Sequence, residues 1–368
     1  MRILIAPDKF KDSLGARQIA ANIAIGLREV LANAQINEVP VADGGEGTAG
    51  VISESLGGTW IDCNAHDASG REIKARFAWI EASRLAVMEM SEAAGLRRLA
   101  ANEHDPVRAS TFGVGEILLA AAAHGAREVI IGLGGSATND GGSGLARAIG
   151  YQFYDDHGRE LLGDATKLIH LAKIVAPEER RWTPITIAAD VNNPLLGERG
   201  ATHVFGPQKG ATSDQLKLLE KGLAQLENIA TKDLHNDFRE IPGAGAAGGL
   251  GFGLMTFCSA TMRPGFDVVA ESIHLERSIV DADVVVTGEG SLDRQTLEGK
   301  APAGVAKLAR KNGKRVFAIV GRSSREGEVE SLFEKVFALN DGSMSDADSI
   351  KRAPELLRQR ARKLAGLL

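Results

Sequence analysis

A strand, a polar turn, an amphipathic helix and a second strand open this chain, and that order limits its fold more than any other feature. Arg2–Ala6 is a short apolar run. Gly15–Asn33 carries Ile19, Ile23, Leu27, Val30 and Leu31 at spacings that put them on one face of an α-helix. Asn37–Val41 reads as a second strand and ends in the glycine-rich turn Asp43–Gly47. Such a start predicts a parallel, doubly wound sheet, since parallel neighbours need a helical crossover. The C-terminal part repeats the pattern. It has strand Asp283–Thr287, a helix near Pro302–Lys311, strands Arg315–Val320 and Lys335–Leu339, and a basic helix Ala353–Leu367.

The middle of the chain has a different rhythm. Thr59–Asn64, Glu72–Ile80 and Leu85–Met90 are strand-like runs separated by short polar turns, which predicts an antiparallel meander. A helix at Phe112–His124, strands Glu128–Ile131 and Ile185–Ala189, and a helix at Ser213–Ile229 follow. At 368 residues the chain exceeds what one core usually serves. Two α/β domains are expected, residues 1–60 with 265–368 forming one and 61–264 the other.

A net charge of −5 without a long Lys/Arg cluster argues against nucleic acid as the main partner. Cys63 and Cys258 stand far apart and give neither a disulfide framework nor a C-x-x-C metal spacing, so both read as small buried hydrophobes of a reduced compartment. The histidines form no ligand-spaced cluster. Neither a secretory signal nor a membrane-spanning apolar run is evident, so a cytoplasmic enzyme is expected.

Four polar loops stand where strands end, the place where ligands bind open α/β sheets. In Ala6–Ser13, Asp8 is followed by Lys9 and Lys11, cations able to hold a carboxylate or phosphate; the competing reading is a helix entry with solvated charges. In Ala42–Thr48, Asp43 and Glu46 are separated by glycines, a pattern that suits an oxygen-loving cation or a capped turn. Gly132–Gly144 is rich in glycine and small polar residues and bares backbone N–H groups to an anion. Its Gly132-x-Gly134-x-x-Ala137 also matches a dinucleotide fingerprint, with Asp155 near the offset of a ribose-binding carboxylate. Thr138–Gly144 delays the helix that such a fingerprint needs. In Thr287–Pro302, Glu289 and Asp293 are carboxylates and Arg294 and Lys300 cations, but the P-loop pattern fails because Arg294 stands where glycine is required. Asp190, Lys209 and the glycine run Gly243–Gly253 add further candidates.

Taken together these segments resemble the bacterial type I glycerate kinases over essentially the whole chain. The residues that carry the resemblance are Ala6-Pro-Asp-Lys-Phe-Lys, Ala42-Asp-Gly-Gly-Glu-Gly-Thr, Gly132-Leu-Gly-Gly-Ser-Ala-Thr-Asn-Asp-Gly-Gly and Asp190-Val-Asn-Asn-Pro-Leu. Phe205-Gly-Pro-Gln-Lys-Gly, Gly243-Ala-Gly-Ala-Ala-Gly-Gly, Gly288-Glu-Gly and Gly299-Lys-Ala-Pro continue the series in order. The resemblance implies ATP-dependent phosphorylation of D-glycerate, most simply at the 2-hydroxyl, with Mg²⁺. It also implies a flavodoxin-like domain beside a restriction-endonuclease-like one. Two positions depart from the family pattern, Lys9 where Ser is usual and Ser291 where Arg is usual; Lys9 or Arg294 is then the expected source of the missing charge.

Phosphoryl transfer needs positioning and charge neutralisation more than covalent chemistry. Asp293 or Asp190 is expected to take the substrate proton, and Lys300 and Lys209 to neutralise transferred oxygens. Gly134, Gly135, Ser136, Asn139, Asp140, Gly248, Gly249, Gly288 and Glu289 are expected around the nucleotide. Asp8, Lys9, Lys11, Asp43, Gly44 and Arg294 are expected around the acid, and Asp43, Glu46 and Asp190 around the metal. A monomer or homodimer is expected. The alternatives are a glycerate 3-kinase, a nicotinamide-dependent hydroxy-acid dehydrogenase using the 132–137 fingerprint, and a nucleotide-sensing regulatory module.

Overall fold

The structure, a computed structural model, describes residues 1–178, 182–324 and 327–368. The chain divides into two compact units, Met1–Asp43 with Pro264–Leu368, and Gly44–Arg263. The break falls at 43/44, where the sequence suggested 60/61. Helix Thr48–Leu56 packs on the strands Glu72–Ile80 and Leu85–Glu89 and so belongs to the second unit.

Five strands build the sheet of the first unit: β1 (Arg2–Pro7), β2 (Gln35–Glu38), β3 (Val284–Gly288), β4 (Arg315–Val320) and β5 (Lys335–Ala338). All pair in parallel, in the order β2-β1-β3-β4-β5, which is the flavodoxin-like doubly wound order. The apolar runs of β1 and β3 are buried on both faces, as a helix-covered parallel sheet requires. Ile3, Ile5, Val284, Val286, Phe317 and Ile319 face a core shared with helices Ala16–Arg28 and Ala353–Ala365. Leu4 and Val285 alternate to the other face, and helix Ala301–Lys311 packs against β3 and β4.

Two sequence expectations shift here. The second strand was expected at Asn37–Val41. The N–H groups of Val39 and Val41 still donate to the Ile5 and Pro7 carbonyls, but Pro40 between them has no N–H and the regular ladder stops at Glu38. The first helix ends at Arg28 rather than Asn33: Val30 and Leu31 both donate to the Leu27 carbonyl in a closing turn.

The second unit has a mixed sheet in the order Thr261–Arg263, Ile185–Ala188, Glu128–Gly132, Leu85–Glu89, Glu72–Ile80, Thr59–His66. The first four are mutually parallel, and the last three form the expected antiparallel meander. Helix Phe112–His124 lies where its periodicity put it, and helix Ser213–Leu234 runs beyond the expected end at Ile229. Helices not expected from sequence include Thr48–Leu56 and Ala246–Cys258 here, and Gly265–Ser272 and Leu275–Asp281 in the first unit. Cys258 is buried, whereas Cys63 is only half-buried on the outer strand Thr59–His66. Among the described residues no helix is long and apolar enough to cross a membrane.

Candidate active site

The strand order of the first unit reverses between β1 and β3, and a crevice opens there at the carboxyl ends of the strands. Asp8 follows β1 and Glu289 follows β3, so both carboxylates flank the reversal. Two hydrogen bonds lock the strand ends together: Asp8 N–H donates to the Gly288 carbonyl at 2.8 Å, and the Thr287 hydroxyl to the Ala6 carbonyl at 2.7 Å. Asp8 is 7% exposed and Glu289 6%, so each sits where a carboxylate loses its hydration. Burial, with the charges of Asp43 and Glu289, pushes the Asp8 carboxyl up to about 8 against the pull of Lys9. Burial also raises Glu289 to about 7, opposed by the Thr296 hydroxyl, which donates to Oε1 at 2.6 Å, and by Lys300.

A second shell of charge stands over this pair. Lys300 Nζ lies 3.7 Å from both Glu289 Oε2 and Asp293 Oδ1. Asp293 Oδ2 accepts from the Ser291 hydroxyl at 3.3 Å, and Ser291 Oγ in turn accepts from Arg322 Nε at 3.1 Å. Ser291–Leu292 and Arg322–Ser323 form a two-stranded parallel ribbon beyond β3 and β4. Gly321 N–H donates to the Glu289 carbonyl and Arg322 N–H to the Gly290 carbonyl, each at 3.0 Å. A Cβ on Gly321 would lie 2.4 Å from the Gly290 carbonyl oxygen, so only glycine permits this approach. The resulting cavity of 440 Å³ is lined by the carboxylates Asp43 and Glu289, by the cations Lys9, Lys11, Lys300 and Arg322, and by apolar Phe10, Leu339 and Ile350. Arg294 is exposed and does not line it. The guanidinium beside Ser291 belongs to Arg322, which the sequence reading missed. Its one sequence signal is its place just after strand Arg315–Val320.

The glycine loops of the second unit are mainly packed. The segment 132–137 is pinned by Leu96 N–H on the Gly135 carbonyl and Ala137 N–H on the Ala94 carbonyl, both 2.9 Å. Only its crest reaches solvent, with Gly135 exposed, Gly134 half-buried and Ser136 9% exposed. Asn139 and Asp140 are buried. Asp140 accepts from the N–H and hydroxyl of Thr111 at 2.9 and 2.8 Å and from the N–H groups of Gly142 and Gly144, both at 3.1 Å. It therefore satisfies backbone donors at the starts of helices Phe112–His124 and Ser143–Ala148. Asn139 Nδ2 donates to Thr202 Oγ1 at 3.1 Å. Gly248 and Gly249 lie buried beneath Thr138 and Gly141. Gly44 packs on Gly132, and Glu46 pairs with Arg97 at 3.8 Å. Asp190 is half-buried just beyond strand Ile185–Ala188. Asp155 holds its own turn, accepting from Arg159 Nε and from the N–H groups of His157 and Arg159.

Lys209 is buried, with Nζ 2.6 Å from the Thr138 carbonyl. Burial holds its ammonium down at about 7, although Asp140 pulls the other way. The unfolded lysine binds its proton up to about 10.5, so between those values the unfolded state holds more protons and stability rises with pH. Between pH 8 and 9 we expect wild-type protein to gain about 1.4 kcal/mol from this group. Lys209→Met should lack that gain. Guanidinium denaturation of both proteins at the two pH values checks this, and parallel slopes would contradict it.

Comparison with known proteins decides the family. The model of the glycerate kinase family matches residues 3–368. The chain belongs to the glycerate kinase family. It is 40% identical over 370 residues to the glycerate kinase of Bacillus subtilis (strain 168), covering 99% of this chain and 97% of that one. It is also 40% identical over 324 residues to the glycerate 2-kinase of Escherichia coli (strain K12), covering 87% and 85%. A crystal structure from Salmonella typhimurium LT2, provisionally named glycerate kinase 2, superposes with a TM-score of 0.87 at 37% identity and covers 100% and 98% of the two chains.

Family membership makes the chain a kinase. Of the residues singled out from sequence, the structure gathers Asp8, Lys9, Lys11, Asp43, Gly288, Glu289, Asp293 and Lys300 at the carboxyl end of one sheet. Gly44, Glu46, Gly134, Gly135, Ser136, Asn139, Asp140, Asp190, Lys209, Gly248 and Gly249 all belong to the other unit.

Proposed function

We propose that this glycerate kinase family member transfers the γ-phosphoryl group of ATP to the 2-hydroxyl of D-glycerate, giving 2-phosphoglycerate. The observation that carries this reading is the pair of buried carboxylates, Asp8 and Glu289, faced by Lys9, Lys11 and Lys300 at the strand-order reversal. Anionic substrates need those cations, and a hydroxyl acceptor needs a carboxylate to receive its proton. The name of the Escherichia coli relative supports the 2-position.

Glu289 is the base in this reading. It lines the cavity, the Thr296 hydroxyl fixes its Oε1, and its carboxyl is held near neutrality, where a base is most effective. Lys300, placed by Glu289 and Asp293, neutralises the oxygens of the group in transfer. Asp293 positions that lysine rather than taking the proton. Lys9 and Lys11 draw the anionic acid into the cavity. In the second unit, the crest Gly134–Ser136, which reaches solvent at Gly135, is the part we assign to nucleotide phosphates, while Asn139, Asp140, Lys209, Gly248 and Gly249 pack the loop behind it.

Among the described residues no group of three or more His, Cys, Asp or Glu side chains is arranged to hold a metal. A kinase Mg²⁺ asks for less, one or two carboxylates plus phosphate oxygens. Asp8 and Asp43 fit that need, because the Asp43 charge raises the cost of ionising buried Asp8 and a dication would relieve it. Bound there, Mg²⁺ supplies positive charge to the phosphate oxygens.

A coupled ADP-release assay with D-glycerate, followed by phosphorus NMR of the product, tests the reading. A 3-phospho product would overturn the position, and no glycerate-dependent ADP would overturn the activity. Lys300→Ala should lower kcat roughly 10²–10³-fold, the usual effect of removing one charge-stabilising donor, with its melting temperature close to wild type. Unchanged turnover would remove Lys300 from the site.

A further inference from the structure

The cavity at the end of β1, β3 and β4 is lined by four cations, Lys9, Lys11, Lys300 and Arg322, and their surroundings differ. Lys300 is placed between Glu289 and Asp293, each 3.7 Å away. Lys9 stands next to Asp8, whose carboxyl it pulls down. Arg322 is arranged differently. Its backbone is fixed by the short ribbon with Ser291–Leu292, and Nε donates to Ser291 Oγ at 3.1 Å. Its Nη1 has an acidic neighbour, Asp346 Oδ2, at 3.7 Å. The two side chains are 62% and 67% exposed, and an exposed ion pair of that length contributes little. The guanidinium is thus held at its root, lines the cavity, and keeps its outer edge in a weak pair that a better anion can displace.

A guanidinium edge offers two parallel N–H donors, which match the two oxygens of a carboxylate better than a lysine ammonium does. Ser291 Oγ, bonded to Arg322 Nε and to Asp293, ties the root of that guanidinium to the Asp293–Lys300–Glu289 cluster. A small hydroxy acid with its carboxylate on Arg322 would lie in the cavity that Glu289 and Lys300 also line. We propose that Arg322 binds the carboxylate of the acid substrate, displacing Asp346, and so sets the preference of this site for hydroxy acids. This assignment rests on the kinase reading of the same cavity.

The test compares wild type, Arg322→Gln and Arg322→Lys. Calorimetric titration with D-glycerate should give a Kd roughly ten- to hundredfold weaker for Arg322→Gln, the usual consequence of losing a charge-assisted pair. Arg322→Lys should fall between the two, because it keeps the charge and loses the fork. In steady-state assays KM for glycerate should rise while KM for ATP holds. A merely structural role would move both constants and the melting temperature together. Equal glycerate affinities for wild type and Arg322→Gln, or a parallel rise in both KM values, would overturn the assignment. The kinase reading fails separately: wild-type protein that binds glycerate without releasing ADP would sink it, and the titration would still decide the carboxylate contact.

Discussion

Replacing Asp8 by Asn is expected to remove glycerate-dependent ADP release, by at least about 10³-fold, while making the ligand-free protein more stable at pH 8. The two effects have one cause. Asp8 is almost fully buried, with Asp43 and Glu289 adding negative charge. Its carboxyl is raised from 3.8 to about 8, so the folded state holds a proton that the unfolded chain has already released. Across that window stability falls as pH rises, by about 1.4 kcal/mol per pH unit at most. Glu289 acts in the same direction between 4.5 and about 7. Asparagine keeps the shape, carries no charge and removes the Asp8 part of that slope. In the proposed reaction the same charge is needed to hold Mg²⁺, so the variant loses activity. Melting temperatures at pH 5 and pH 8, with a chelator present, check the stability; the ADP assay checks the rest. A variant less stable than wild type at pH 8, or one that still turns over, would contradict this account.

Gly248→Ala is expected to be the most damaging single methyl in the second unit. Gly248 has φ of +70°, a left-handed conformation that glycine adopts freely, and a Cβ there would lie 1.9 Å from the Thr138 carbonyl oxygen. That carbonyl is the acceptor for buried Lys209, and Gly141 N–H donates to the Gly248 carbonyl at 3.1 Å. The methyl cannot be accommodated without moving the loop, the lysine and the helix starts capped by Asp140 together. A loss above about 4 kcal/mol is expected, in the range of backbone clashes in a close-packed interior. Gly50→Ala is the control, since its Cβ would meet nothing within 4 Å and helix propensity favours it by up to about 1 kcal/mol. Chemical denaturation of both variants checks the contrast, and comparable stabilities would contradict it.

These two residues also show what a linear sequence reveals. Asp8 was legible because it ends an apolar strand at the start of a βαβ pattern, and the same logic found Glu289, Asp293 and Lys300. Their convergence was not legible, because it depends on which strands become neighbours, and Ala6 meets Thr287 across 281 positions. Gly248 was read as part of a phosphate cradle. Glycine permits close approach by any partner, and here the partner of Gly248 is the protein's own backbone at Thr138. Lys209 is a similar case: a lysine on a Gly/Pro turn reads as an open cation, and nothing local shows that its ammonium is buried. Arg322 belonged to no motif. It became visible only once the ribbon with Ser291 was in place.

The two-part origin of the first unit bears on how the protein is made. β1 and β2 are synthesised before the segment Gly44–Arg263, yet three of the five strands in their sheet come after residue 263. At ordinary synthesis rates the apolar strand Arg2–Pro7 waits roughly ten seconds or more for its inner neighbour. The contiguous segment Gly44–Arg263 has its whole sheet in hand much sooner. Translation therefore gives this enzyme a built-in order of assembly, in which the half bearing Asp8 and Glu289 closes only once helix Ala353–Ala365, part of its core, has emerged.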